Sequence, residues 1–311
     1  MSNIRPATAV DLLALRRRPD RRVFFYSEAM LASSYRPLWV SLRSMLGPLG
    51  NESVTLVLRS TGVRGFVQAR KRSHSPEIDL SYLASLDGHG ERMLDGDIWF
   101  RLLEGLLERA GEARIERVFA SIGPRFDDVG EILRQLSFQP YTQQQIWVLP
   151  EPVIEAGSSL LALRQQQRRD VWAIHQLYHR ITPRHVQHAE QKQSVSWQLP
   201  RPRRGIGWRE QAWALGDDQA LHMYIHTLTG PRAHVLRPMC DVESRHDAAA
   251  MLRFALSRLE EPRMVFAVIR AYHGELASAL EEVGFRLRGE QTLFARQLAI
   301  PQQQFVTVPT L

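Results

Sequence analysis

One cysteine in 311 residues, Cys240, excludes an intrachain disulfide and makes a reducing compartment, the cytoplasm, the simpler expectation. No apolar run approaches the ~20 residues that a membrane-spanning helix needs, and the opening MSNIRPATAVDLLALRRR has no apolar secretory core. Neither a membrane span nor secretion by that route is expected. Also lacking is any basic stretch followed by an aromatic RNA-binding signature, or any helix-turn-helix pattern. Forty Lys and Arg stand against 33 Asp and Glu, a net +7, enough to attract phosphate on a nucleic acid or a nucleotide. The arginines bunch in RRRPDRR (16–22) and RPRRGIGWR (201–209). Both bursts contain proline, and solvated loops rather than a nucleic-acid site are the expectation.

What is present is a globular composition, 44% hydrophobic and 23% charged, in a chain long enough for two domains with a core each. A line of sequence is written twice. VFASIGPRFDDVGEILRQLSF (118–138) returns as VFAVIRAYHGELASALEEVGF (265–285), with Val118, Phe119, Ala120, Ile122, Leu133 and Phe138 recurring as Val265, Phe266, Ala267, Ile269, Leu280 and Phe285. IRPATAVDLLAL (4–15) aligns with LRQQQRRDVWAI (163–174), so that Arg5 meets Arg164 and Asp11 meets Asp170, and LLEGLLERA (102–110) aligns with MLRFALSRL (251–259). The spacing is far too long for a solenoid repeat and means duplication of a domain.

Each copy reads in one order. A short strand (4–6; 162–164) leads into a helix that starts near Asp11 or Asp170, a residue type suited to helix beginnings. A loop-and-helix region follows, at 24–46 and about 171–192. The strands VTLVLRS, RGFVQAR and EIDLSYLAS then form a meander in the first copy, and REQAWAL, QALHMYIHTL and RAHVLRPMC form one in the second. A long helix, a β-branched strand, a helix and a final strand close each copy. The boundaries that result are 1–150 and 158–298, joined through the linker-like PEPVIEAGSS, with a tail at 299–311.

This order, carried twice, resembles the GNAT superfamily of acyl-CoA-dependent N-acetyltransferases over nearly the whole chain. The fold expected is therefore α/β with a mixed sheet, as two tandem GNAT-like domains. The resemblance implies acetyl-CoA as co-substrate, entering where two central strands splay, with its pyrophosphate on the start of the next helix. Free amides and the helix dipole favour an anion there. In the first copy that helix start, ERMLDGDIWF (91–100), keeps only Gly96 and sets Asp95, Asp97 and Trp99 around it. The glycines of DGHGER (87–92) offer another loop, or a plain turn. The second copy, CDVESRHDAAAML (240–252), is less hostile to an anion and is the expected cofactor site. Met239, Cys240 and Val242 would lie at the strand end, and Ser244, Arg245, His246 and the slim Ala248 at the helix start. An ordinary capped surface helix is the alternative.

Family members often use a strand glutamate as base and a tyrosine on the last helix as acid. Leu133 and Leu280 stand where that tyrosine would. Tyr272 can replace it only if its loop turns inward. In the second copy His222, Tyr224 and His226 alternate on one side of a strand and are the candidate base and cleft residues; a solvent-facing side of the meander is the other possibility. Glu77 and Asp79 are the counterparts in the first copy. His175, His179, His185 and His188 lack the glutamate of a zinc-protease motif, so no metal is expected. The expected function is acetyl transfer to a small-molecule or peptide amine. A tandem scaffold or ligand sensor without catalysis is the alternative. Nothing in the sequence speaks to oligomeric state.

Overall fold

The computed structural model describes residues 4–16, 19–45, 53–59, 62–72, 75–86, 94–152, 161, 163–200, 208–217 and 219–299. The loop 87–92, most of the linker, residues 17–18 and 201–207 of the arginine bursts, Ala162 and the tail from 300 onward lie outside them.

The first half runs β1 (Ile4–Pro6), α1 (Leu12–Leu15), β2 (Arg21–Phe24), α2 (Glu28–Ala32) and α3 (Pro37–Met45). The meander follows as β3 (Ser53–Arg59), β4 (Val63–Lys71) and β5 (Glu77–Ser85). It closes with α4 (Asp95–Glu112), β6 (Arg117–Ile122), α5 (Asp127–Gln135) and β7 (Gln139–Leu149). The second half repeats the plan with β8 (Arg164–Gln165), α6 (Val171–Ile181), α7 (Arg184–Glu190), β9 (Arg209–Gly216), β10 (Leu221–Thr229) and β11 (Ala233–Cys240). It ends with α8 (Ala248–Ser257), β12 (Met264–Arg270), α9 (Glu275–Glu282) and β13 (Arg286–Gln297). No described helix is long and apolar enough to cross a membrane.

All strands join one sheet in the order β1-β3-β4-β5-β6-β13-β7-β12-β11-β10-β9-β8, with β2 beside β5. The order is palindromic, but the last strand of each half has changed sides. β13 pairs with β6 and β7 pairs with β12, and the two exchanged strands run antiparallel to each other from Arg286↔Val148 to Ala295↔Gln139. Neither closing strand pairs with the penultimate strand of its own half. Each core is completed by the other half: Phe294 of β13 packs with α4, α5 and β3–β6, and Trp147 of β7 packs with α8, α9 and β9–β12. Tyr141 lies in β7.

Two expectations change with the helices and their neighbours. α4 begins at Asp95, so Gly96 and Trp99 lie within its first turns and leave no glycine loop before them among the described residues. Asp95 and Asp97 complement the positive end of the helix dipole, and Trp99 is core. Asp11 and Asp170 do more than begin helices. Each is buried and accepts a bidentate pair of hydrogen bonds, from Arg5 (2.8 and 3.0 Å) and from Arg164 (2.7 and 2.8 Å), besides a backbone N–H from Thr8 or Gln167. The repeated arginine and the repeated aspartate are one ion pair built twice.

α2 of the first half docks on the second. The Arg232 N–H donates to the Ala32 carbonyl (3.1 Å), and a Cβ at Gly230 would come within 2.6 Å of the Ala32 backbone oxygen and side chain. Gly230→Ala should therefore lift α2 and destabilise the protein by ~1–3 kcal/mol, the usual range for overpacking. Thermal unfolding of the variant checks this; an unchanged midpoint would show that α2 yields freely.

Candidate functional site

Parallel strands β11 and β12 are paired only from Ala233↔Met264 to Leu236↔Ala267. Beyond that the strands part, and Pro238, which has no N–H to donate, stands on the edge that faces the gap. A cleft of about 180 Å³ occupies the wedge and continues beneath α6 and the turn Ser194–Trp197. In the first half β5 and β6 are likewise paired only from Glu77↔Arg117 to Asp79↔Phe119. There β2 pairs with β5 through Arg21↔Ser85 to Phe24↔Tyr82. The other edge of those β5 residues belongs to β4, so β2 lies on the edge that β6 vacates. One wedge is open and its twin is filled by the chain itself. Glu77 and Asp79 are spent there on Arg117 and Arg72 at 2.6 Å each.

Tyr224, His226, Met239 and Tyr272 line the open cleft. The 3-10 turn Ala271–His273 carries Tyr272 inward, and burial raises its hydroxyl pKa, with Arg270 opposing and Glu190 adding to the rise. Tyr224 donates to the Gln166 side chain (3.0 Å). His226 sits between Glu210 (Nε2···Oε2, 2.9 Å) and Arg237 (Nη2···Nδ1, 3.0 Å). A guanidinium can only donate, so Nδ1 accepts and Nε2–H donates to Glu210. The imidazole is neutral; burial and the Arg237 charge hold its pKa down. Burial opposes ionisation of Glu210, but the hydrogen bond from His226 and the charges nearby keep its pKa below the usual carboxylate value. Arg237 in turn meets Glu28 of α2 at 3.1 Å.

His222 is not part of this group. It lies at a β-bulge at the start of β10, half-exposed, beside Asp241 (3.3 Å). Asp241 also changes the expected anion site. Its carboxylate accepts the backbone N–H groups of Glu243 (2.9 Å) and Ser244 (3.2 Å) and meets Arg180 (3.3 Å). Burial alone would raise the Asp241 pKa, but His222 and the two amides bring it below the ordinary value. The turn amides thus already hold an anion. The Ser244 hydroxyl makes no cap. Val242, Arg245 and His246 are exposed, with His246 beside Asp247 (3.2 Å). Cys240 faces the α8 core, away from the cleft, and burial pushes its thiol up to about 12. Ala248 is buried in the same core.

A group that the sequence did not single out forms the far wall. Glu190, 2% exposed, accepts from Arg270 (2.8 Å), Tyr178 (2.9 Å) and Tyr141 (3.3 Å) and pairs with Lys192 (3.1 Å). Burial would raise its pKa, yet Lys192 and Arg270 bring it down to about 2. Lys192 lies 5.0 Å from the ring centres of both Tyr178 and Trp197. One signal of this wall was available: within the repeated line, Arg270 replaces the glycine of the first copy, Gly123. Among the described residues no cluster of three or more His, Cys, Asp or Glu could hold a metal. His175 and His179 contact each other (3.1 Å) and the protein's own Trp197 and Gln187.

Two αβ units in tandem, each with parted parallel strands at its centre, have the fold of the GCN5-related N-acetyltransferases. An enzyme of that class from Sphaerobacter thermophilus superposes with a TM-score of 0.52 over 94% of this chain and 95% of its own, at 14% identity. A protein from Pyrococcus horikoshii described as an acetyltransferase gives 0.50 over 96% and 89%, at 12% identity. A tandem GNAT protein from the clavulanic acid biosynthesis pathway gives 0.49 over 87% and 91%, at 15% identity. No family profile and no curated protein matches the sequence. At these identities the likeness is one of fold.

Proposed function

We propose that the second half binds an acyl-CoA thioester, acetyl-CoA in the simplest case, and transfers the acyl group to the amine of a small-molecule or peptide acceptor. The observation that supports this is the open wedge beyond Leu236 and Ala267, whose twin is filled by β2. A bound thioester supplies an activated carbonyl. The chain's own part is to hold the arm, orient the acceptor amine and provide a proton for the departing sulfur. Arg237–Met239 and Val268–Arg270 line the wedge and would hold the arm. The Tyr272 phenol, kept protonated by its raised pKa, is the proton donor. Ionised Glu210 orients the acceptor ammonium. His226, fixed as the neutral tautomer, can take a proton once Arg237 releases Nδ1. The buried thiol of Cys240 suits a reducing compartment, and we place the reaction in the cytoplasm.

Asp241 favours a second reading, in which the cleft binds a ligand without coenzyme A. Its carboxylate takes the amides that a diphosphate would need, so the fit is good along the wedge and poor at the turn. Calorimetric titration of the full chain with acetyl-CoA and with coenzyme A separates the two. Binding of both is expected. Asp241→Ala should strengthen it and Arg245→Glu weaken it, each by about tenfold, the worth of one charge-assisted hydrogen bond. Absence of binding by either compound would leave the second reading standing.

A further inference from the structure

Charge is divided unevenly between the walls of the open cleft. On the β12 side stand Lys192 and Arg270, with Glu190 behind them as their shared carboxylate. Glu190 already takes four donors, so its accepting capacity is used. Two cations against one anion leave a net +1 on this wall. Arg72, whose charge also reaches Glu190, is met by Asp79 and Glu77. Lys192 and Arg270 are 28% and 23% exposed, and both line the cleft. A lysine has three N–H donors and an arginine five, more than Glu190 and the Gln144 side chain take up.

The opposite wall, from β9 to β11, has the reverse balance. On the lining, Glu210 and Glu28 stand against Arg237, because the Arg237 hydrogen bond to Nδ1 leaves His226 neutral; Arg70, whose charge also reaches Glu210, lies off the lining. That is a net −1 among the residues that line this wall. The one other histidine on the lining, His273, contacts Glu275 (3.5 Å). A cleft with a surplus cation on one wall and a surplus carboxylate on the other is complementary to a ligand with both charges.

Resting on the reading of this cleft as an acceptor site, we infer that the acceptor amine also carries a carboxylate, a free amino acid being the simplest case. Its carboxylate pairs with Lys192 and Arg270, and its ammonium faces Glu210 and Glu28. The rings of Tyr178, Trp197 and Tyr224 between the walls present an apolar surface to the side chain. Removing the carboxylate from such a ligand leaves a desolvated cation pair without its partner, the situation in which a polar site discriminates most strongly.

The test uses the full chain and twenty L-amino acids with their matched primary amides, in calorimetry and in a coenzyme A release assay with acetyl-CoA. At least one free amino acid should bind at least tenfold more tightly than its amide. Lys192→Met, which keeps the stem against Tyr178 and Trp197, should bring that ratio close to one. Equal binding of acid and amide, or no binding by any free amino acid, overturns the inference. The acid-to-amide ratio of the unaltered protein decides the matter even if the variant fails to fold. Acetyl-CoA binding without an acid preference would defeat this inference and leave the acyltransferase reading intact; an acid preference without acetyl-CoA binding would do the reverse.

Discussion

Glu190→Gln should lower the thermal midpoint by roughly 6–20 °C at neutral pH. The substitution keeps the volume and can still accept from the tyrosines, but it removes the counter-charge of Lys192 and Arg270. Breaking a buried ion pair from one side costs ~3–5 kcal/mol, and a domain-sized protein loses ~2–4 °C per kcal/mol. Lys192, whose pKa burial already lowers, can shed its charge. Arg270 cannot. The same residue predicts a pH window. Folding depresses the Glu190 pKa from its ordinary 4.5 to about 2. Its stabilisation is therefore complete above about 4.5 and is lost as the pH falls toward about 2. Midpoints of both proteins measured from pH 7 to 2 should converge over that interval. A gap that stayed constant would mean that the carboxylate is not ionised at this site.

The second large effect concerns separability. Residues 1–152 and 161–299, produced as two polypeptides, should each lack native structure and should recombine into one soluble complex when produced together. Neither piece holds a complete sheet: the first lacks β13, which pairs with both β6 and β7, and the second lacks β7, which pairs with both β12 and β13. Each would also expose an unpaired edge, a template for aggregation, and lose an aromatic core residue, Phe294 or Trp147. Co-purification and circular dichroism check this. If either piece were monomeric and cooperatively folded alone, an internal hairpin would have replaced the exchange.

Why the exchange is invisible in the sequence follows from what a strand encodes. QQQIWVL and EQTLFARQL show strand character and which residues face the core, and both became β7 and β13. Nothing in that pattern says whose edge a strand joins. The meanders were legible because turns and alternation are local, and EIDLSYLAS coincides with β5 to the residue. The repeated Arg5–Asp11 and Arg164–Asp170 were visible as recurrences but not as contacts. In the cleft, Tyr224 and His226 were named from strand alternation, and Met239 and Tyr272 from the family resemblance. Glu190 and Lys192 were missed because AEQKQ reads as the polar end of a surface helix, and its burial depends on strands eighty residues away. Asp241 misled for the opposite reason: a loop aspartate gives no sign that its own carboxylate will turn back onto the next amides.

β2 has a stoichiometric consequence. A segment tethered next to its own slot acts at an effective concentration in the millimolar range, and its four paired residues, Arg21 to Phe24, occupy the vacated β5 edge. A free molecule at micromolar concentration does not displace such a tethered occupant. A chain with two copies of the fold should therefore saturate at one equivalent of ligand, all of it in the later copy.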